Sequence, residues 1–134
     1  MSTMLADGGH CIYVALSGGR DRKNNDGIVE VSPFDPNNLE MFQLMAKKAK
    51  TPTHFFPLSL ATFKILPPPE STQIELGESR ITSGGAVHIH FGEEIDFSSM
   101  NIPESLNKFD LRNWKADYVY NIVKQNYLLF KVDY

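Results

Sequence analysis

The sequence predicts an α/β fold, and three observations carry that expectation. Apolar runs rich in β-branched and aromatic residues recur as "HCIYVAL" (10–16), "THFFPLSLATF" (53–63) and "ITSGGAVHIHF" (81–91). A well-signalled helix lies between the first two. A second helical stretch closes the chain. Strand, loop, helix, strand, further strands and a final helix is the order of an α/β arrangement. The 134 residues are enough for one domain with an apolar core, and no linker, repeat or low-complexity tract divides 1–134.

Each element follows from local chemistry. "STMLADGG" reads as the last turns of a helix with a glycine stop. Residues 10–16, bounded by glycines, read as a strand buried on both faces, with Cys11 as an inert thiol inside it. The Gly-, Asn-, Asp- and Pro-rich stretch that follows reads as a long loop with a brief extended piece at "GIVEV". Loops of this length in a small domain often carry function. Asp35 is a plausible N-cap and Pro36 suits the first helical position. Leu39, Phe42, Met45, Ala46 and Ala49 then share one helical face, and Pro52 forbids continuation. Lys47, Lys48 and Lys50 read as a solvated helix end whose cations oppose the dipole. Docking of an acidic carrier protein there is the weaker alternative. Pro57 interrupts the 53–63 run, so that strand is kinked, ends there, or lies at an edge. "ILPPPE" is a rigid connector, and Gly84–Gly85 marks a bend. From Pro103 a helical tail places Leu111, Trp114, Tyr118, Ile122 and Leu129 on one face.

Composition narrows the function classes. The net charge is −3, and no basic stripe suggests a nucleic-acid partner. A single cysteine excludes an internal disulfide. No run approaches the ~18 apolar residues of a membrane span, and no secretory leader is visible, so a soluble protein is expected.

The informative stretch is "SGGRDR", 17–22, directly after the first apolar run. Ligands of open α/β sheets gather outside the carboxyl ends of strands. Gly18 and Gly19 let the backbone approach a ligand, and successive N–H groups there can cradle an anion together with Ser17. Arg20 and Arg22 add planar forks that match phosphate oxygens. At i and i+2 of an extended segment they point the same way, with Asp21 turned away to orient a neighbour or cap a turn. A solvated turn, its arginines paired with Asp21, Asp26 or Glu30, explains the spacing equally well.

A resemblance tips that balance. "IYVALSGGRDR", "SPFDPNNLEMF", "THFFPLSLATFKILPPP", "LGESRITSGGAVHIHFGEEIDF" and a closing helix together resemble the soluble glycerol-3-phosphate acyltransferases of chloroplasts and chlamydia-like bacteria. The resemblance implies that the chain is the C-terminal portion of a larger catalytic domain, with part of an acyltransferase-type sheet flanked by helices. It implies that Arg20 and Arg22, with Ser17, Gly18 and Gly19, bind the phosphate of glycerol 3-phosphate. It also implies that "FPLSL", with Pro57 and Leu58, lies near the acyl pocket. The acyl donor would be acyl-ACP or acyl-CoA, with no cofactor and no metal. The location would be the bacterial cytoplasm, or the plastid stroma in a plant or alga. Leu16 and Lys23 stand where the plant proteins usually carry proline, which suggests a bacterial or divergent member.

The resembled family uses a His-x4-Asp motif as base and orienter. Five residues beyond His10, His54, His88 and His90 lie Ala15, Ser59, Glu93 and Ile95. The nominal His88-x4-Glu93 pair follows the phosphate block and sits in a strand-like segment, so it is rejected as catalytic. No third ligand by spacing supports a metal at His88 and His90. The family's upstream lysine and histidine for the phosphate are absent as well. The expectation is a fragment, or part of a split or truncated gene, with no catalytic residue of its own and needing the N-terminal part of the enzyme to complete its fold. The alternatives are a non-catalytic phosphate-ester module or an interaction fragment that completes another chain's sheet.

Overall fold

The computed structural model describes residues 1–67 and 82–132. "PPE" of the proline connector, "LGESR" and Ile81 lie outside the described residues. Helix α1 (Ser2–Asp7) stops at Gly8, whose φ is 74°. It lies on α2 (Pro36–Ala49), and Thr51 Oγ1 donates to Ala6 O at 2.8 Å. α2 starts as its sequence dictates: Asp35 accepts from the Asn37 N–H at 2.9 Å, and Pro36 is the first helical residue. It ends at Lys50, which takes the left-handed φ of 56° before Pro52.

The long loop resolves into a hairpin. Strand β1 (Arg22–Lys23) pairs antiparallel with β2 (Val29–Glu30), setting Arg22 opposite Glu30. Asn24 closes the turn through its side chain, accepting from the N–H groups of Asp26 and Ile28. Gly27 supplies the positive φ of 78°.

Strand β3 (Leu58–Ala61) pairs antiparallel with β4 (His88–Phe91). It begins only after Pro57, whose ring cannot donate to a ladder and whose carbonyl accepts from Gly92 N–H at 2.9 Å. Partners share a face in this register. Ser59 and Ala61, buried, with His90 and His88 opposite them, turn toward α3 (Lys108–Leu128). Leu58, Leu60, Ile89 and Phe91 form the other face, where Ile89 and Phe91 are exposed. Ser59 donates to Val123 O at 2.8 Å and pins the sheet to the helix.

The final helix begins later than Pro103 suggests. Asn107 caps it, accepting from the Asp110 N–H at 2.8 Å. Its most buried stripe is Ala116, Val119, Val123 and Tyr127. The expected face is only half-buried, and Leu129 lies past the helix end, exposed. The displacement has a packing cause. α3 is wedged between α2 and β3, so Ala116, Val119 and Val123 occupy the close contacts along its middle. The bulky Trp114 and Tyr118 are half-buried and stack at 5.5 Å, with Tyr118 packed against the core. Leu39, Ile95, Ala116, Val119 and Val123 form the main core. Val29, Ala61 and Tyr127 form a second cluster beside it.

Helices with small sheets agree with the coarse α/β expectation. One expectation is corrected. Residues 10–16 form no strand: no described strand pairs with them, and Tyr13 and Cys11 are exposed. High β propensity yields a ladder only against a neighbour that supplies the partner N–H and C=O groups. Both sheets among the described residues are two-stranded and antiparallel.

Candidate functional site

The arginine loop does not stand at the end of a sheet strand, because 10–16 is not one. It is a turn held from within and from below. Gly18 N–H donates to Ala15 O at 3.1 Å, and Ser17 Oγ donates to Gly19 O at 3.1 Å. Both groups are therefore engaged inside the loop. Gly18 has φ of 76°, the conformation that favours glycine. Gly19 has no positive φ, and a Cβ there would meet only Arg22 Nη2, at 4.0 Å. The Arg22 guanidinium thus folds back over Gly19. Arg20 Nη1 donates to Leu66 O at 2.9 Å. Both arginines are half-buried.

Asp21 turns the other way and is 4% exposed. Its carboxylate gathers four donors. Thr62 Oγ1 approaches at 3.0 Å, Thr62 N–H at 3.2 Å and Phe63 N–H at 3.2 Å. The Tyr127 hydroxyl donates at 2.6 Å. The loop is thereby tied to the turn after β3 and to the end of α3. A second glycine pair lies beside that turn: Ser83 N–H donates to Ile65 O at 2.8 Å, and its hydroxyl to Lys64 O. Arg20 and Asp21 are thus brought to residues 62–66, against which 83–85 also rest, although sequence reading placed these in separate elements.

The acyl-pocket candidates lie at the start of β3. Pro57 is buried against Gly92, where a Cβ would come within 2.6 Å of Pro57 Cγ. Leu58 belongs to the apolar face with Leu60, Ile89 and Phe91. His88 is tilted against Phe130 at 5.5 Å. Among the described residues, no group of three or more His, Cys, Asp or Glu is placed to hold a metal. The histidine that meets a carboxylate is His54, bonded through Nδ1 to Glu94 at 2.5 Å. Forty residues separate them, so no local spacing announces the contact. Both side chains are largely exposed, as in a solvent-screened surface pair. No described helix is long and apolar enough to cross a membrane.

No family profile matches the chain. Curated relatives do. It is 36% identical over 101 residues, 75% of its length, to a chloroplastic glycerol-3-phosphate acyltransferase of Arabidopsis thaliana. It is 29% identical over 98% of its length to one from Cucurbita moschata, and 30% over 96% to one from Spinacia oleracea. It spans 22%, 28% and 27% of those proteins respectively. Their names give the bacterial alternative no support. By sequence, then, this chain is similar to a stretch of the chloroplastic glycerol-3-phosphate acyltransferases that makes up about a quarter of their length.

Proposed function

We propose that the chain forms the phosphate-binding part of a glycerol-3-phosphate 1-O-acyltransferase of the plastid stroma. The observation that carries this reading is the loop 17–22 itself: two guanidinium side chains flank a buried carboxylate that clamps their backbone. A loop held in this way presents its cations with little ordering left to do on binding. Arg20 and Arg22 hold the phosphate, with the loop of Ser17, Gly18 and Gly19 beneath it. In the whole enzyme the 1-hydroxyl oxygen attacks the thioester carbonyl of acyl-ACP or acyl-CoA. Its proton passes to a base, the thiolate leaves, and lysophosphatidate is formed. The base belongs to the His-x4-Asp motif expected from the resemblance, which these 134 residues do not contain. The N-terminal part of the enzyme supplies it, consistent with the quarter-length match. Pro57 and Leu58 lead into an apolar sheet face that suits an acyl chain.

In the whole acyltransferase, Arg20→Ala and Arg22→Ala are each expected to weaken glycerol 3-phosphate binding by ~2 kcal/mol, read as a raised KM. The isolated chain is expected to show no acyl transfer. An unchanged KM in both variants overturns the clamp, and turnover by residues 1–134 alone overturns the external base. The lack of a His-x4-Asp pair in this sequence favours one second reading, a phosphate-ester binding module without chemistry. Its mark would be binding of glycerol 3-phosphate by a chain that no added polypeptide renders active.

A further inference from the structure

We infer that Asp21 and Tyr127 act as a positioning pair that sets the aim of Arg20 and Arg22, an inference that rests on the phosphate-clamp reading above. A carboxylate that is 4% exposed is a costly core group unless its lone pairs are satisfied. Here four donors satisfy it, drawn from the turn after β3 and from α3. An apolar side chain would fill the same space without that requirement. What the carboxylate adds is direction. Arg20 lies in a bend and Arg22 opens β1, on either side of Asp21. Holding Asp21 inward therefore fixes the backbone from which both half-buried arginines extend. Arg20 gains a second tether at Leu66 O, and Arg22 lies back over Gly19.

Tyr127 is the distant half of the device. Its ring is buried with Val29 and Ala61 and meets Phe130 edge-on at 5.9 Å. Only the hydroxyl reaches Asp21. Tyr127→Phe therefore removes the donor while leaving the packed ring.

The test is a titration of the whole acyltransferase with glycerol 3-phosphate, followed through the side-chain Nε–Hε resonances of Arg20 and Arg22. Tyr127→Phe is compared with Thr62→Val, Asp21→Asn and, as a matched control on α3, Tyr118→Phe. Thermal melts are recorded alongside. The expected result is a roughly tenfold weaker Kd for Tyr127→Phe, shifted arginine resonances in the unliganded protein, and a control within about twofold of the parent. Thr62→Val is expected to behave likewise, which keeps the test decisive if Asp21→Asn does not fold. Binding by the parent together with an unchanged Kd in Tyr127→Phe and Thr62→Val, whatever happens to the melt, overturns the positioning pair and leaves the clamp standing. No arginine response in the parent overturns the clamp and the pair with it.

Discussion

Gly18 is the position in the arginine loop where a side chain strains the backbone. Its φ of 76° places an L residue in the left-handed region, at a cost of roughly 1–2 kcal/mol. Gly19 carries no such constraint, since its Cβ would meet only a guanidinium nitrogen at ordinary contact distance. Urea denaturation is therefore expected to show Gly18→Ala destabilised by about that amount and Gly19→Ala close to the parent. Equal losses at both positions would contradict this account of the turn. The sequence makes these residues visible because Gly-Gly followed by two arginines is a local pattern. It does not reveal what holds them. The partners of Asp21 lie 41 and 42 residues away in the turn after β3 and 106 away on α3, and no periodicity links them. For the same reason the sequence leaves Asp21 as the residue pointing away, with its donors unnamed.

Among the elements, those with chemical punctuation are legible and those needing a neighbour are not. α2 is announced by Asp35, Pro36 and Pro52, and the structure places it accordingly. α3 is announced as a helix, yet its buried stripe is decided by what presses on it from both sides. Residues 10–16 have strand composition and no ladder. The 3-10 turn Phe97–Ser99 is too short for any pattern, and its cap carries a pH signature. The Ser98 hydroxyl, and then its N–H, donate to the Asp96 carboxylate. They hold its pKa below the ordinary 3.8. A lowered folded pKa means this contribution is complete above the unfolded value and is lost as pH falls through the folded one. Ser98→Ala is expected to move the Asp96 titration, followed by carbonyl NMR, toward 3.8 and to lessen that turn's acid sensitivity, the residue-98 N–H still donating. A titration unaltered by the variant would refute the assignment.

At the scale of the molecule the core is thin. Among the described residues nine apolar side chains are buried, Pro57 included, while thirteen large ones are exposed. The exposed set includes Phe56, Val87, Ile89 and Phe91, on or beside one face of the β3–β4 sheet. Apolar area of this kind, left in water, favours association. The chain by itself is expected to bind a hydrophobic dye and to self-associate with rising concentration. The double variant Ile89→Lys, Phe91→Lys should suppress both in fluorescence and sedimentation measurements. A monomeric parent without dye binding would show that this face is not adhesive. The Asp21–Tyr127 contact has a different consequence, in time. It joins residues 106 positions apart, and contacts of such long range close after local ones. A chain growing from its amino end exposes both arginines early, long before the phenol that disciplines them is synthesised. Until that last helical turn docks, Asp21 lacks its most distant donor, so the clamp proposed above would be completed only near the end of folding.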